Sequence, residues 1–421
     1  MLTRNRDIPA RSLLLLIAAN GLLRVAGGAS GVLVGLYLAD LANRGHAVDA
    51  ALVGTLAATS FGAELVGAIP MGIVSDVLAP RVLMTAGALL AAVSTWLFGL
   101  TQDVSVFFVS RAVEGLAAAA GVPALLAHVT DVTAGNRALR ARVMSYFELS
   151  LLAGLALGGL AGSQFWHKLG VEAFTALASV YVVAALALFV GGAGSRAHSR
   201  REAIVGFVDS IRKPALRRLA PMWLCMNAII GLWLGPTFYF LLTKRSPNGQ
   251  FLTGLLAAEP QQVGWVLLGY SLVFGTGLVG WSVVLPHIPV QRALRISLRA
   301  MLGVSTGLFL LNHAGDAPPA LRWTLTAFTA ALVMVESGFT PAALSLLASA
   351  VGARAGRGAA IGIYSFLLSV GALGGTLLAA MLGERFAIDG LIYGTFGMAL
   401  MALGLLPRLE AVRANAEETT R

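Results

Sequence analysis

The sequence predicts an all-α membrane protein of twelve transmembrane helices, arranged as two pseudo-symmetric six-helix halves. Composition is the first reason: of 421 residues, 57% are hydrophobic and 12% charged, with mean hydropathy +0.81. Soluble domains are about a quarter charged. The second reason is the run of twelve apolar stretches, each long enough to cross a bilayer, which takes roughly 20 residues at about 1.5 Å rise. The third is that stretches six apart resemble each other.

The stretches follow in order, at 12–39, 51–75, 82–101, 106–130, 140–165 and 172–192, then 217–243, 262–285, 297–313, 322–349, 357–383 and 387–407. The first carries Asn20 and Arg24; it lacks a small-residue cleavage site and is too long for a signal core, so it is expected to stay as a membrane helix. The second holds Glu64, and a short polar turn leads into the uncharged third. Arg111, Glu114 and Pro123 mark the fourth; Glu148 and a glycine series, Gly154, Gly158, Gly159 and Gly162, mark the fifth. The sixth carries no charge beyond Glu172 at its start. Asn227 and the aromatics Trp223, Trp233, Phe238, Tyr239 and Phe240 lie on the seventh. The eighth opens on Val263-Gly264, and the ninth is the shortest. The tenth holds Glu336, Gly338 and Pro341; the eleventh is glycine-rich around Ala372-Leu373-Gly374-Gly375; the twelfth closes the set.

Four matches relate the halves. Ala156-Leu157-Gly158-Gly159 answers Ala372-Leu373-Gly374-Gly375, Pro123 answers Pro341, Asn20 answers Asn227, and Val53-Gly54 answers Val263-Gly264. All four pair a segment with the one six places on. The expected organisation is therefore 1–193 and 220–421 as the two halves, joined by a connection at 194–219. Between Arg201 and Arg218, Ile204, Val205, Val208 and Ile211 recur at helical intervals among basic residues, the pattern of an interfacial amphipathic helix.

The net charge of +10 is a topology signal and no nucleic-acid footprint. Of the 30 basic residues, 22 fall in connections on the side of the N-terminus and six on the other, with Arg24 and Arg111 between. The positive-inside rule then puts both termini in the cytoplasm, as in a bacterial-type inner membrane. The single cysteine, Cys225, excludes an intrachain disulfide. No P-loop, metal-ligand spacing or catalytic constellation is present, so neither ATP-driven transport nor an enzyme is expected. No cofactor is called for, and the proton gradient is the expected energy source.

Several motifs are similar to those of the major facilitator superfamily. Gly72-Ile-Val-Ser-Asp76-Val-Leu-Ala-Pro-Arg81 resembles the family's loop motif G-x-x-x-D-x-x-G-[RK]-[RK], with Ala79 and Pro80 as departures. Arg111-Ala-Val-Glu114-Gly115 resembles R-x-x-Q-G, with Glu114 for glutamine, and Asp131 with Arg137 continues the pattern. Gly154-x-x-x-Gly158-Gly159-x-x-Gly162 resembles the antiporter motif of the drug:proton branch, without its proline. The resemblance covers essentially the whole chain. It implies a secondary transporter working by alternating access about a midplane site, with segments 1, 4, 7 and 10 around a cavity and 3, 6, 9 and 12 facing lipid.

Charge placement agrees with that implication. Ionised groups at membrane depth are costly, about 2.5–3.5 kcal/mol on insertion scales, and mark polar pathways. Arg24, Arg111, Glu64, Glu114, Glu148 and Glu336 fall on segments 1, 2, 4, 5 and 10, and none on 3, 6, 9 or 12. Arg24 lies roughly 18 Å from the N-terminal side of its helix by rise per residue, a depth similar to that of Glu64. The two form either a structural pair or an anion-binding arginine with a proton-sensitive release group. Arg111 and Glu114 share a helix face, and the resemblance ties this arginine to proton coupling. Glu336 has no basic residue at its depth in the second half and leads the proton-site and cationic-ligand candidates, with Glu148 next. Gly72, Asp76 and Arg81 are the expected gate, Asp76 lying where the fold would bring the positive end of the eleventh helix. The glycines of the fifth segment permit close packing or sliding. Substrate contacts are expected from Arg24, Asn20, Asn227, Trp233, Tyr239 and Glu336, the aromatics lining the cavity or else anchoring in lipid.

The expected function is proton-coupled efflux of a small amphipathic organic compound by a monomer whose other surroundings are lipid. The first segment carries Arg24 and no mid-membrane carboxylate, so import or exchange of an organic anion is the alternative. A non-transporting receptor or scaffold on the same fold would instead predict inert charge-neutralising variants.

Overall fold

A computed structural model describes residues 10–132, 137–191, 214–245, 249–351 and 356–418. All regular structure among them is helical. The first half contributes α1 (Ala10–Asn43), α2 (Ala50–Val77), α3 (Pro80–Gly99), α4 (Val104–Val132), α5 (Arg137–Leu169) and α6 (Ala173–Gly191). The second half contributes α7 (Pro214–Trp233), α8 (Pro236–Thr243), α9 (Gln262–Val284), α10 (Val290–Asn312), α11 (Pro319–Glu336), α12 (Phe339–Val351), α13 (Gly356–Phe386) and α14 (Ile388–Glu418). Eleven stretches of the described residues are long and apolar enough to cross a membrane. One of them, Leu152–Gly191, runs from α5 through a 3-10 turn into α6 and so contains two of the twelve expected segments.

Three boundaries differ from the sequence reading. The seventh and tenth segments are each two helices, broken at Leu234–Gly235 and at Ser337–Gly338. Pro236 opens α8 after an extended Gly235, and Pro341 falls in the first turn of α12, where a missing N–H costs nothing. The ninth helix starts at Val290 instead of 297. Its first turns hold Arg292, Arg295 and Arg299, but Ala293, Leu294, Ser297 and Leu298 recur at helical spacing and are buried. A hydropathy window averages over both faces and misses such a start. The region expected as an interfacial helix lies mostly outside the described residues; within it, Arg217 and Arg218 stand exposed on the first turns of α7.

Contacts divide the chain into two compact units, Met1–Ser30 with Gly62–Arg200, and Gly31–Phe61 with Arg201–Arg421. The first has a core of Leu16, Leu83, Met84, Ala120 and Leu188 from α1, α3, α4 and α6. The second is built on Met222, Trp223, Ile229, Leu294, Leu298, Phe339 and Leu406. Burial is by dispersion and close fit, because lipid tails are as apolar as leucine.

Small residues set the closest helix pairs in both units. In the first, α5 lays Gly154, Gly158 and Gly162 along α1 from Arg24 to Ala29; a Cβ at Gly162 would stand 2.8 Å from the Ala29 carbonyl oxygen. In the second, α13 lays Gly371 and Gly375 along α7 at Leu224–Ala228. Each unit thus seats a glycine stripe against the helix that opens its half of the sequence. Gly158→Ala would push a methyl to 2.9 Å from the Ala29 nitrogen. It is expected to destabilise by about 1–3 kcal/mol, the usual range for overpacking, read as a lower melting temperature in detergent.

Candidate functional site

In the first unit, α4 places Arg111 and Glu114 one turn apart, and they form an ion pair. Arg111 is only 6% exposed. Ser30 of α1 donates to the other Glu114 oxygen, Oε1, at 3.0 Å. Both carboxylate oxygens are therefore occupied, one by a cation and one by a hydroxyl from a different helix. Tyr181 of α6, itself buried, lies within electrostatic reach of both charges. The Arg111 Nε–H is buried with no hydrogen-bond partner among the described residues. A buried donor left unpaired costs about 1–3 kcal/mol, so this N–H is open to a water or a ligand acceptor. Spacing had paired Arg111 with Glu114; Ser30 and Tyr181 carried no signal, because serines and tyrosines in apolar helices are common.

Arg24, Asn20 and Glu64 each have a partner, and Asn20 is buried. The backbone of Arg24 is locked against Gly154, where a Cβ would stand 2.6 Å from the Arg24 Cβ. The side chains of Glu148, Gly72 and Asp76 lie outside the described residues. Arg81 is described and sits over the ring of Phe189 on α6, 5.8 Å from its centroid.

In the second unit Glu336 is the last residue of α11, at the edge of the break. A helix end leaves carbonyls without intrahelical donors, and here the donors to three of the last four can be named. The Ser337 N–H donates to the Val333 oxygen at 3.1 Å and the Ser337 hydroxyl to the Met334 oxygen at 2.8 Å. The Val335 oxygen accepts from Trp281 Nε1 of α9 at 2.9 Å and from Ser297 Oγ of α10 at 3.3 Å. Gly277 and Gly338 leave room for this arrangement: a Cβ on Gly338 would overlap the Trp281 indole, and one on Gly277 the Met334 carbonyl. The break is therefore braced from two neighbouring helices. Trp281→Phe replaces the indole by a smaller phenyl and removes the N–H; with a lost hydrogen bond and a partly empty site it is expected to destabilise by about 1–3 kcal/mol, visible in thermal unfolding.

Glu336 is 6% exposed, and no salt bridge or side-chain hydrogen bond reaches its carboxyl among the described residues. Its electrostatic neighbour is Tyr270 of α9, which also feels Tyr239 of α8. Of the other expected substrate residues, Asn227 is buried and donates to the Trp223 carbonyl of its own helix at 3.0 Å. Trp233 donates its indole N–H to Thr395 of α14 at 2.6 Å and meets Phe238 edge-on at 5.1 Å. Trp223, Tyr239 and Phe240 are 2%, 2% and 0% exposed, which corrects the option of lipid-facing anchors for these three. Tyr270, Trp281 and Ser297 were missed by sequence reasoning; only the Gly338/Pro341 pair pointed toward them.

The chain is similar to several known proteins. The model of the Major Facilitator Superfamily matches residues 16–247. Multidrug resistance protein 1 of Bacillus subtilis (strain 168) is 24% identical over 328 residues, covering 77% of this chain and 78% of that protein. Multidrug resistance protein 2 of the same organism is 29% identical over 106 residues, 23% of this chain and 26% of its own length. Among solved structures, the nucleoside transporter NupG superposes with TM-score 0.72 at 13% identity, covering 95% of this chain and 98% of that one. A bacterial homolog of the human lysosomal transporter Spinster, inward-facing and occupied, gives 0.70 at 12% identity over 97% and 98%. At these identities the structures speak for the fold alone. With a family model spanning more than half its length and an all-helical fold whose long helices are apolar enough to cross a membrane, the chain belongs to the Major Facilitator Superfamily, as a transporter and not an enzyme.

Proposed function

We propose that this transporter exports a small amphipathic organic compound in exchange for protons. The observation that carries the reading is Glu336, an acid buried at a helix break with no cation beside it among the described residues. Ionising a carboxyl in such surroundings is costly, so it holds a proton until water or a cationic or polar group of the substrate reaches it. Substrate then takes the proton's place, and the proton leaves to the side from which the substrate entered; a new proton from the opposite side displaces the substrate there. Discontinuous helices recur at transporter binding sites because their free backbone ends are polar in an otherwise apolar span. The names of the two Bacillus subtilis relatives support efflux.

The Arg111–Glu114–Ser30 cluster is the second element of coupling. Within α4 its ion pair fixes the Glu114 carboxylate, and the Ser30 hydroxyl bound to that carboxylate ties α4 to α1. Glu148 is retained as a further proton-site candidate, Asp76 with Gly72 and Arg81 as a gate, and the glycine stripe of α5 as a sliding surface. Arg24, Asn20, Asn227, Trp233, Tyr239 and Glu336 are retained as substrate-contact candidates, Asn227 offering an amide and Trp233 a ring. Both termini are cytoplasmic in a bacterial inner membrane, the protein works as a monomer, and the proton gradient is its energy source.

The test is a proteoliposome assay with an imposed pH step, using compounds first selected by thermal shift. Substrate-driven proton release supports antiport. Proton co-uptake supports a second reading, import of an organic anion, which Arg24 deep in α1 favours.

A further inference from the structure

The loop end of the α1–α2 hairpin packs with α8 and α13, and it does so through named polar contacts at both sides of its turn. At the end of α1, Asn43 Nδ2 donates to the Thr243 carbonyl at 3.1 Å, and Asn43 Oδ1 accepts from the Arg245 N–H at 2.9 Å. At the start of α2, Glu384 Oε2 of α13 accepts from the Ala50 N–H at 2.9 Å and the Ala51 N–H at 3.4 Å. These amides are among the four that open a helix without an internal acceptor, where a carboxylate is favoured by both hydrogen bonding and the helix dipole. The next two are served locally: the Leu52 N–H by Asp49 Oδ1 at 2.7 Å, and the Val53 N–H by the Asp49 carbonyl at 3.1 Å.

Shape reinforces the contact. Gly54, one turn along α2 from Ala50, lies on Ala380, one turn back along α13 from Glu384; a Cβ at Gly54 would stand 2.7 Å from the Ala380 nitrogen. Gly35 of α1 sits against α8, where a Cβ would be 2.7 Å from the Pro236 oxygen. Backbones this close, pinned at the turn, can separate only if the pins release.

We propose that Glu384 and Asn43 are the clamp that holds this end of the transporter shut, and that their release is the step that opens it. Two hydrogen bonds from each side chain hold elements far apart in sequence, and both acceptor and donor groups remain satisfiable by water once the hairpin lifts. Glu384 itself is exposed at the rim, so water can compete for it without a buried charge being stranded. Such a contact is reversible by construction.

The test uses thiol accessibility in full-length protein in proteoliposomes, with the buried native thiol removed as Cys225→Ser. A reporter is placed by Ala57→Cys; Ala57 is 0% exposed and lies one turn beyond Gly54 on α2. Labelling by a membrane-impermeant maleimide is measured with the parent, Glu384→Gln, Glu384→Ala and the Asn43→Ala/Glu384→Ala pair. Asp49 still caps α2 in every variant, so folding is expected to survive and is checked by monodispersity and melting temperature. Labelling is expected to rise about three- to tenfold in Glu384→Ala, the scale of a partly exposed charged hydrogen bond, less in Glu384→Gln and more in the pair. An unchanged rate in the folded pair overturns the proposal. The assay needs no substrate and no proton gradient, so its outcome is separate from that of proton-coupled efflux.

Discussion

Glu336→Gln is expected to keep exchange of substrate across the membrane and to lose accumulation driven by a proton gradient. Glutamine has nearly the size and polarity of a protonated glutamate but cannot release a proton. For one proton per substrate, each pH unit is worth about 1.4 kcal/mol, or roughly a tenfold concentration ratio. In the variant that ratio should fall to about one while counterflow of labelled substrate persists, and the pH dependence of substrate affinity should flatten. The Glu336 side chain is buried at the end of α11 without a cation or donor among the described residues. If Glu336→Gln still concentrates substrate with unchanged pH dependence, the proton site lies elsewhere, and Glu148 is the next variant to measure.

Arg111→Gln is expected to be more damaging than Arg111→Gln combined with Glu114→Gln. Arg111 is nearly fully buried and supplies the cation for one Glu114 oxygen. Removing it alone leaves a carboxylate held by the Ser30 hydroxyl with its cation gone. Breaking a buried pair from one side costs about 3–5 kcal/mol, whereas removing both charges costs much less. A double-mutant cycle on melting temperature and on transport rate reads the difference as a coupling energy. Additive losses would show that the two residues act separately.

Much of this was legible before any coordinates. Transfer of a side chain from water to hydrocarbon is a local cost, so hydropathy located the spans, loop arginines set the expected orientation, and six charged residues at membrane depth named the candidate site residues. Arg111 and Glu114 were legible as a pair because both lie on one helix at fixed spacing. The fifth-segment glycines were legible as packing residues for the same reason, though not their seat against Arg24 to Ala29.

What the sequence determined by itself was therefore the spans, the repeat, the family and the list of costly charges. The tertiary structure decided everything that depends on how one helix is rotated and slid against another. Ser30 reaches Glu114 across 84 positions, and Glu384 reaches Ala50 across 334. Trp281 and Ser297 hold the Val335 carbonyl, converting the Gly338/Pro341 hint into a braced break beside Glu336. The start of α10 seven residues early belongs with these, since buried and charged faces cancel in an average along the chain. Hydrogen bonds between helices need donor and acceptor within about 3 Å at a suitable angle, a condition set by register and rotation, to which the energy of burying each segment alone is blind.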